Sequence, residues 1–146
     1  MNKNIREVLN EAGILYQTSN MRKEKPETDM DAYFINLSIN NEIIHGGIVE
    51  DDADKHVTII FFASARKVEK KTGYLKLLEL INDLNKECRY GNFVYDDEDI
   101  TYSLSIPVIS SDKISKYEFK YYFDRCLSTV KEAFGDIQDE LRKNSN

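Results

Sequence analysis

From Tyr33 onward, apolar side chains fall on every second residue, Tyr33, Ile35, Leu37 and Ile39, and the run stops at Asn40-Asn41 before a new apolar stretch opens at Ile43. Strict alternation puts one set of side chains on a single face of a strand, and an Asn-Asn pair tolerates the left-handed backbone of a two-residue hairpin turn. Pairing about that turn sets Leu37 beside Ile44, Ile35 beside Gly46 and Tyr33 beside Ile48. A second reversal over Asp51 to Lys55 sets Ile44, Gly46 and Ile48 opposite Phe61, Ile59 and Val57, which gives three strands one common apolar face. This pattern commits the chain to an antiparallel sheet.

The opposite face of the meander is not cleanly polar. Phe34, Ile43, Val49, Ile60 and Phe62 point there beside Asn36, Ser38, His45 and Thr58. A sheet with one wet face ordinarily shows polar residues on it, so a cover is expected here. It comes either from within, as the N-terminal helix or a loop, or from outside, as a second copy or another partner.

The remaining elements follow from helical and hairpin signals. Ile5, Val8, Leu9 and Ala12 predict a helix over 3–12 stopped by Gly13, with Ile14-Leu15-Tyr16 as a brief strand after it. Residues 20–31 are polar and charged and contain Pro26, which predicts a flexible loop whose Arg22, Lys23 and Lys25 are solvated among Glu24 and Glu27. Beyond the basic connector Arg66, Lys67, Lys70 and Lys71, a helix over 72–88 carries Leu77, Leu78, Ile81 and Leu84 as one stripe. A hairpin then aligns Phe93 with Tyr102 and Tyr95 with Ile100 about the acidic tip Asp96-Asp97-Glu98-Asp99. Ser115 and Glu118 form a capping box with the staple Ile114 and Phe119, and they start a last helix on Phe119, Tyr122, Phe123, Cys126, Leu127, Val130 and Phe134. Gly135 is expected to end or bend that helix, with Ile137 and Leu141 supporting a further turn or two and residues 143–146 fraying.

The resulting order is helix, three-stranded antiparallel meander, helix, β-hairpin, helix, an α+β two-layer arrangement. At 146 residues the chain fits a single domain spanning 1–146, large enough to bury a core without disulfides or a structural metal.

Composition and missing motifs narrow the function classes. The net charge of −6 argues against nucleic-acid binding, which needs a basic surface. No apolar run approaches the roughly 18 residues of a membrane helix, and Met1 to Arg6 lacks an apolar signal region, so a cytoplasmic location without membrane contact is expected. Cys88 and Cys126 lack the CxxC spacing of a zinc or redox site and read as two buried thiols. There is no Walker loop, GxGxxG, HExxH or GxSxG, and no cofactor is expected. Asp51, Asp52, Asp54 and His56 are competent metal ligands, but their spacing fits no recognised loop. In the expected register His45 faces Ile60, four residues from His56, or about 13 Å away, too far for the two imidazoles to share an ion.

The order of elements, together with Leu77-Leu78-Glu79-Leu80-Ile81-Asn82-Asp83-Leu84-Asn85 and Phe93-Val94-Tyr95-Asp96-Asp97-Glu98-Asp99-Ile100, resembles the YbjN family of bacterial proteins. The likeness is strongest over residues 72–134, where a helix ending in Asn-x-x-Asn leads into a strand, an acidic turn, a second strand and a long helix. The resemblance implies a fold similar to the class I chaperones of type III secretion and a sensory or regulatory role, with no catalytic residues. The loop at 20–31 departs from the family pattern. Asn82 and Asn85 stand out within the motif, because a spacing of three places both amides on neighbouring parts of one helix face, where they either tie the helix end to the next loop or recognise a ligand.

These readings converge on a non-catalytic protein-binding or regulatory module that pairs with another protein or with itself as a homodimer. Its expected partner surface is Phe34, Ile43, Ile60 and Phe62, with Asn82 and Asn85. Two alternatives stay open. One is a chaperone holding a protein client by strand or groove binding. The other is an enzyme whose site is assembled from scattered polar residues such as His45, Ser38, Asn36 and Asp54.

Overall fold

The computed structural model describes residues 3–22, 29–51, 54–64, 71–96, 98–109 and 113–144. In chain order the elements are α1 (Lys3–Glu11), β1 (Tyr16–Arg22), β2 (Asp29–Ile39), β3 (Glu42–Asp51), β4 (His56–Ser64), α2 (Lys71–Glu87), β5 (Asn92–Tyr95), β6 (Asp99–Pro107) and α3 (Lys116–Asn144). The strands form one antiparallel six-stranded sheet in the order β1-β2-β3-β4-β6-β5. The hairpin β5-β6 is therefore continuous with the meander, through β6 beside β4. This is the α+β fold expected, with a sixth strand joined to the meander and the hairpin in one sheet.

That strand is β1, which starts at Tyr16, the last residue of the brief strand expected at Ile14-Leu15-Tyr16, and runs on to Arg22. Residues 20–22 and 29–31, expected in a flexible loop, are paired strand: Asn20 faces Asp31, Met21 faces Met30 and Arg22 faces Asp29. Polar composition here marks an edge strand, whose outer side meets water, rather than a loop. Residues 23–28, with Pro26 and most of the basic cluster, lie outside the described residues.

The Asn40-Asn41 turn has φ of 51° and 63°, as a two-residue hairpin requires, and it sets Leu37 against Ile44 and Tyr33 against Ile48 as the alternation predicts. The next hairpin is displaced from expectation by two residues: Gly46 pairs with Phe61, Ile48 with Ile59, Glu50 with Val57, and His45 with Phe62 rather than Ile60. The Phe61 ring explains the shift, since a Cβ on Gly46 would lie 2.5 Å from Phe61 Cδ1 and only glycine leaves room for it. A displacement of two keeps every side chain on its expected face.

All three helices pack into one core with one face of the sheet. Ile5, Val8 and Leu9 of α1, Leu77 and Ile81 of α2, and Phe119, Phe123, Cys126, Val130, Phe134 and Ile137 of α3 join Tyr33, Ile35, Ile48, Ile59, Phe61, Phe93, Ile100 and Tyr102. Each fully buried aliphatic or aromatic side chain here contributes about 1.5–3 kcal/mol. The start of α3 is as predicted: Ser115 Oγ accepts the Glu118 N–H at 3.1 Å, with Ile114 and Phe119 buried beside it. Gly135 neither ends nor interrupts α3, which runs 29 residues because Ile137 and Leu141 continue its apolar stripe toward the β2-β3 end of the sheet.

Cys126 is buried, Cys88 half-buried, and both are free thiols. The Tyr102 hydroxyl donates to the Tyr90 carbonyl at 2.7 Å and lies 3.6 Å from Cys126 Sγ. Burial, reinforced by Cys126, drives the Tyr102 hydroxyl far above its ordinary range, and burial pushes the Cys126 thiol up to about 11. Both groups ionise more readily in the unfolded chain. The stability they provide is therefore intact at neutral pH, begins to fall above about pH 9 where an unfolded thiol ionises, and keeps falling through about 11. Thermal unfolding followed by circular dichroism should show a midpoint that declines across this interval, with a shallower initial decline in Cys126→Ala.

Candidate functional site

With the helices on one side, the second face of the sheet has no cover among the described residues. Phe34 is 50 % exposed, Ile43 65 %, Phe62 41 % and Val94 52 %. The register arranges these residues in rows across the strands. One row runs Phe34, Gly47, Ile60, Ser103, Asn92 and the next Asn36, His45, Phe62, Thr101, Val94. Within the second row His45 Nδ1 lies 2.8 Å from Asn36 Oδ1, and the His45 and Phe62 rings are 5.8 Å apart.

A third row, Ala32, Val49, Thr58, Ser105, carries a hydrogen bond of 3.0 Å between the Thr58 and Ser105 hydroxyls. Lys, Arg and Glu are missing from the open-face positions 17, 19, 30–38, 43–51, 56–64, 92–94 and 99–107, counting alternate residues, and Asp51 and Asp99 stand only at strand ends. In a chain with 32 % charged residues this is a pronounced depletion, and depletion of charge with exposed aromatics is the compositional mark of an interface core.

The expected partner residues separate into two groups. Phe34, Ile43, Ile60 and Phe62 share the open face, with Ile60 half-buried between its neighbours. Asn82 and Asn85 lie elsewhere. The Asn85 amide closes a two-point clamp on an edge-strand residue, accepting the Phe93 N–H at 2.7 Å and donating to the Phe93 carbonyl at 2.8 Å. Asn82 is exposed one turn earlier. The polar set suggested for an enzyme is not gathered either. Asn36, Ser38 and His45 lie on the flat open face, whereas Asp54 sits past Asp51 in the opposite turn, about 20 Å along the strand.

At the acidic hairpin tip Asp96 acts on its own turn. Its carboxylate accepts the N–H groups of Asp99 and Glu98 at 2.7 and 2.8 Å, and these bonds hold its pKa below the ordinary value. Between the end of α2 and the first half of α3 lies an aromatic cluster. The Arg125 guanidinium stacks 3.3 Å from the Tyr121 ring centre, and the Tyr121 and Tyr90 hydroxyls are 3.2 Å apart. That bond, followed by the charges of Arg125 and Arg89, lowers the Tyr90 pKa. The rings and hydroxyls of this cluster hold one another in place.

Two features escaped the sequence. The charge-free character of the open face becomes visible only once β1, β5 and β6 are placed in the same sheet as the meander. Gln138, 2 % exposed in α3, reads in sequence as a surface residue between Ile137 and Asp139.

The fold and the site define a one-sided α+β sheet protein whose second face, among the described residues, is bare of helices and free of Lys, Arg and Glu. By sequence the chain matches the model of the family YbjN, described as "Putative bacterial sensory transduction regulator", over residues 3–139, and it belongs to that family. No curated protein matches it by sequence. Among solved structures it is similar to that of YbjN from E. coli, described as "a putative transcription regulator", with 11 % identity, a TM-score of 0.58, and coverage of 92 % of this chain and 89 % of that one. At that identity the likeness establishes the shared fold.

The two asparagines of the family motif should respond differently to truncation. Asn85→Ala leaves both main-chain groups of Phe93 without their partner and should cost about 1–3 kcal/mol in urea unfolding, whereas Asn82→Ala should change stability by about 0.5 kcal/mol or less.

Proposed function

We propose that this chain is a non-catalytic protein-binding module of a regulatory system, and that it works by packing the open face of its sheet against another protein surface. The observation that carries this reading is the exposure of Phe34, Ile43 and Phe62 on a face without Lys, Arg or Glu. The family description supports a regulatory role. No helix among the described residues is long and apolar enough to cross a membrane, and a cytoplasmic location belongs to the same proposal.

The partner most compatible with the face is a second copy of the chain. Because the face is uncharged at its centre, the net charge of −6 is carried elsewhere and does not oppose face-to-face contact at short range. The face also carries a projection beside a hollow. Phe34 stands next to Gly47, where an added Cβ would meet only the Tyr33 carbonyl oxygen, at 3.7 Å. A ring from a two-fold related copy fits such a hollow, and a closed, self-complementary contact follows.

Sedimentation velocity over a concentration series tests this. The native chain should sediment as a dimer at micromolar concentration. Phe34→Glu buries a charge in the contact and should weaken association by about a hundredfold or more. Gly47→Val fills the hollow and should weaken it while leaving the unfolding midpoint nearly unchanged. A native chain that stays monomeric to millimolar concentration would rule out self-association and leave a different protein as the partner.

A further inference from the structure

The end of α2 and the loop after it face α3 across a pocket of about 440 Å³ on the helix side of the sheet. Buried Phe93 and Ala133 give it an apolar lining, and Arg89, Tyr90, Tyr121 and Arg125 stand together at one end. Glu132 and Asp136 line it from positions seven and eleven residues beyond Arg125, about 10 and 16 Å along the axis of α3. The pocket is thus polarised.

The cationic end is held in shape before any ligand arrives. The half-buried Arg125 guanidinium lies 3.3 Å from the Tyr121 ring centre and 5.9 Å from that of Tyr90, and it donates to the Tyr121 carbonyl at 3.1 Å. These contacts fix its plane and leave most of its N–H donors uncommitted. Arg89, exposed on the loop, bears on the same point. The Tyr90 hydroxyl is lowered in pKa first by its bond with Tyr121 and then by the charges of both Arg125 and Arg89. Among the described residues neither guanidinium forms an ion pair, although Glu87 also lines the pocket, whereas Lys116, Lys120 and Arg142 of α3 each bind a carboxylate. Two cations brought together without a counter-charge repel one another, and an anion placed between them removes that cost.

We infer that this pocket binds a small organic phosphate monoester, its phosphate between Arg89 and Arg125 and its body directed along α3. The two guanidiniums come from different elements. One carboxylate is filled by a single guanidinium fork, while the three terminal oxygens of a phosphate monoester can answer both. Further along, Glu132 and Asp136 repel a second anion and accept hydrogen bonds from hydroxyls, so the body is hydroxylated rather than charged negatively. The volume lies within the range of small-molecule sites. The open face is on the other side of the sheet, and this site is additional to the docking reading.

The probe is glycerol 3-phosphate, titrated into the ¹⁵N-labelled chain at constant low ionic strength and followed by proton–nitrogen correlation spectra. Saturable shifts are expected in the main-chain amides of Arg89, Tyr90 and Gly91 and in the Arg125 side-chain N–H, and none with glycerol. Arg89→Gln should keep the native unfolding midpoint and bind the probe about tenfold more weakly or worse. Arg125→Lys keeps the charge, gives up the planar fork and should lose affinity to a similar degree. Glycerate, the carboxylate counterpart, should bind at least about tenfold more weakly than the phosphate. No saturable shift in the millimolar range, equal affinity for glycerate, or undiminished binding to Arg89→Gln would each overturn the inference. So would association with phosphatidic acid vesicles alone, which would assign the phosphate contact to a membrane surface. Arg89 is exposed, so that variant decides the matter even where Arg125→Lys fails to fold.

Discussion

The contact between the Phe61 ring and Gly46 sets the positions on which the open face depends. A side chain on Gly46 would overlap the ring, so Phe61 has one place to go, and the pairing of β3 with β4 is held at that register. The rows on the far side follow from it. Gly47 falls between Phe34 and Ile60, and His45 falls between Asn36 and Phe62. Had the ring lain against Ile44 instead, Ile43 would face Phe62 and the hollow at Gly47 would lie beside Thr58. A core contact thereby decides the relief of a surface it never touches. The same register leaves Glu42 to Ile44 and Ala63 to Ser64 beyond the end of their common ladder, where a notch opens.

Local patterns in the sequence carried much of this structure. Alternation over Tyr33 to Ile39, the Asn-Asn turn, the capping box at Ser115 and the stripe from Phe119 to Phe134 each depend on residues close in the chain, and all appear as read. What failed to show was what depends on distant partners. Whether Gln17, Ser19 and Asn20 are loop or strand is decided by the edge that β2 offers them, since their own propensity is weak. The two-residue displacement at Phe61 follows from ring volume against a glycine, which a pattern of polar and apolar letters does not record. The apolar members of the open face were legible as misplaced hydrophobics. Gln138 was not, because its neighbours in sequence give no sign that this position on α3 is buried.

Charge is distributed as the layers dictate. Helices carry most of these ion pairs, as with Lys116 to Glu7 and Glu11 and Lys120 to Asp124 at 2.6 Å, and Arg142 joins α3 to Glu42 at the start of β3. Exposed pairs of this kind contribute about 0–1 kcal/mol each, so their value lies in keeping that side of the molecule hydrated. The sheet's far face receives none of this protection. The protein is consequently two-sided, with a charged back and a front whose described positions carry Asp only at strand ends.

The edges of the sheet favour contact through the face over the addition of strands. β5 is only four residues long, and Asn85 occupies both main-chain groups of its Phe93. β1, the opposite edge, is built of Tyr, Gln, Thr, Ser, Asn, Met and Arg, with few apolar side chains for a pairing strand to cover. Short, polar or side-chain-occupied edges are the means by which sheet proteins avoid indefinite pairing. With both edges poor templates, apolar burial remains available at the flat face. A face closes on one partner and stops, whereas an open edge does not, so the proposed contact through the face would form a defined complex rather than an open-ended one.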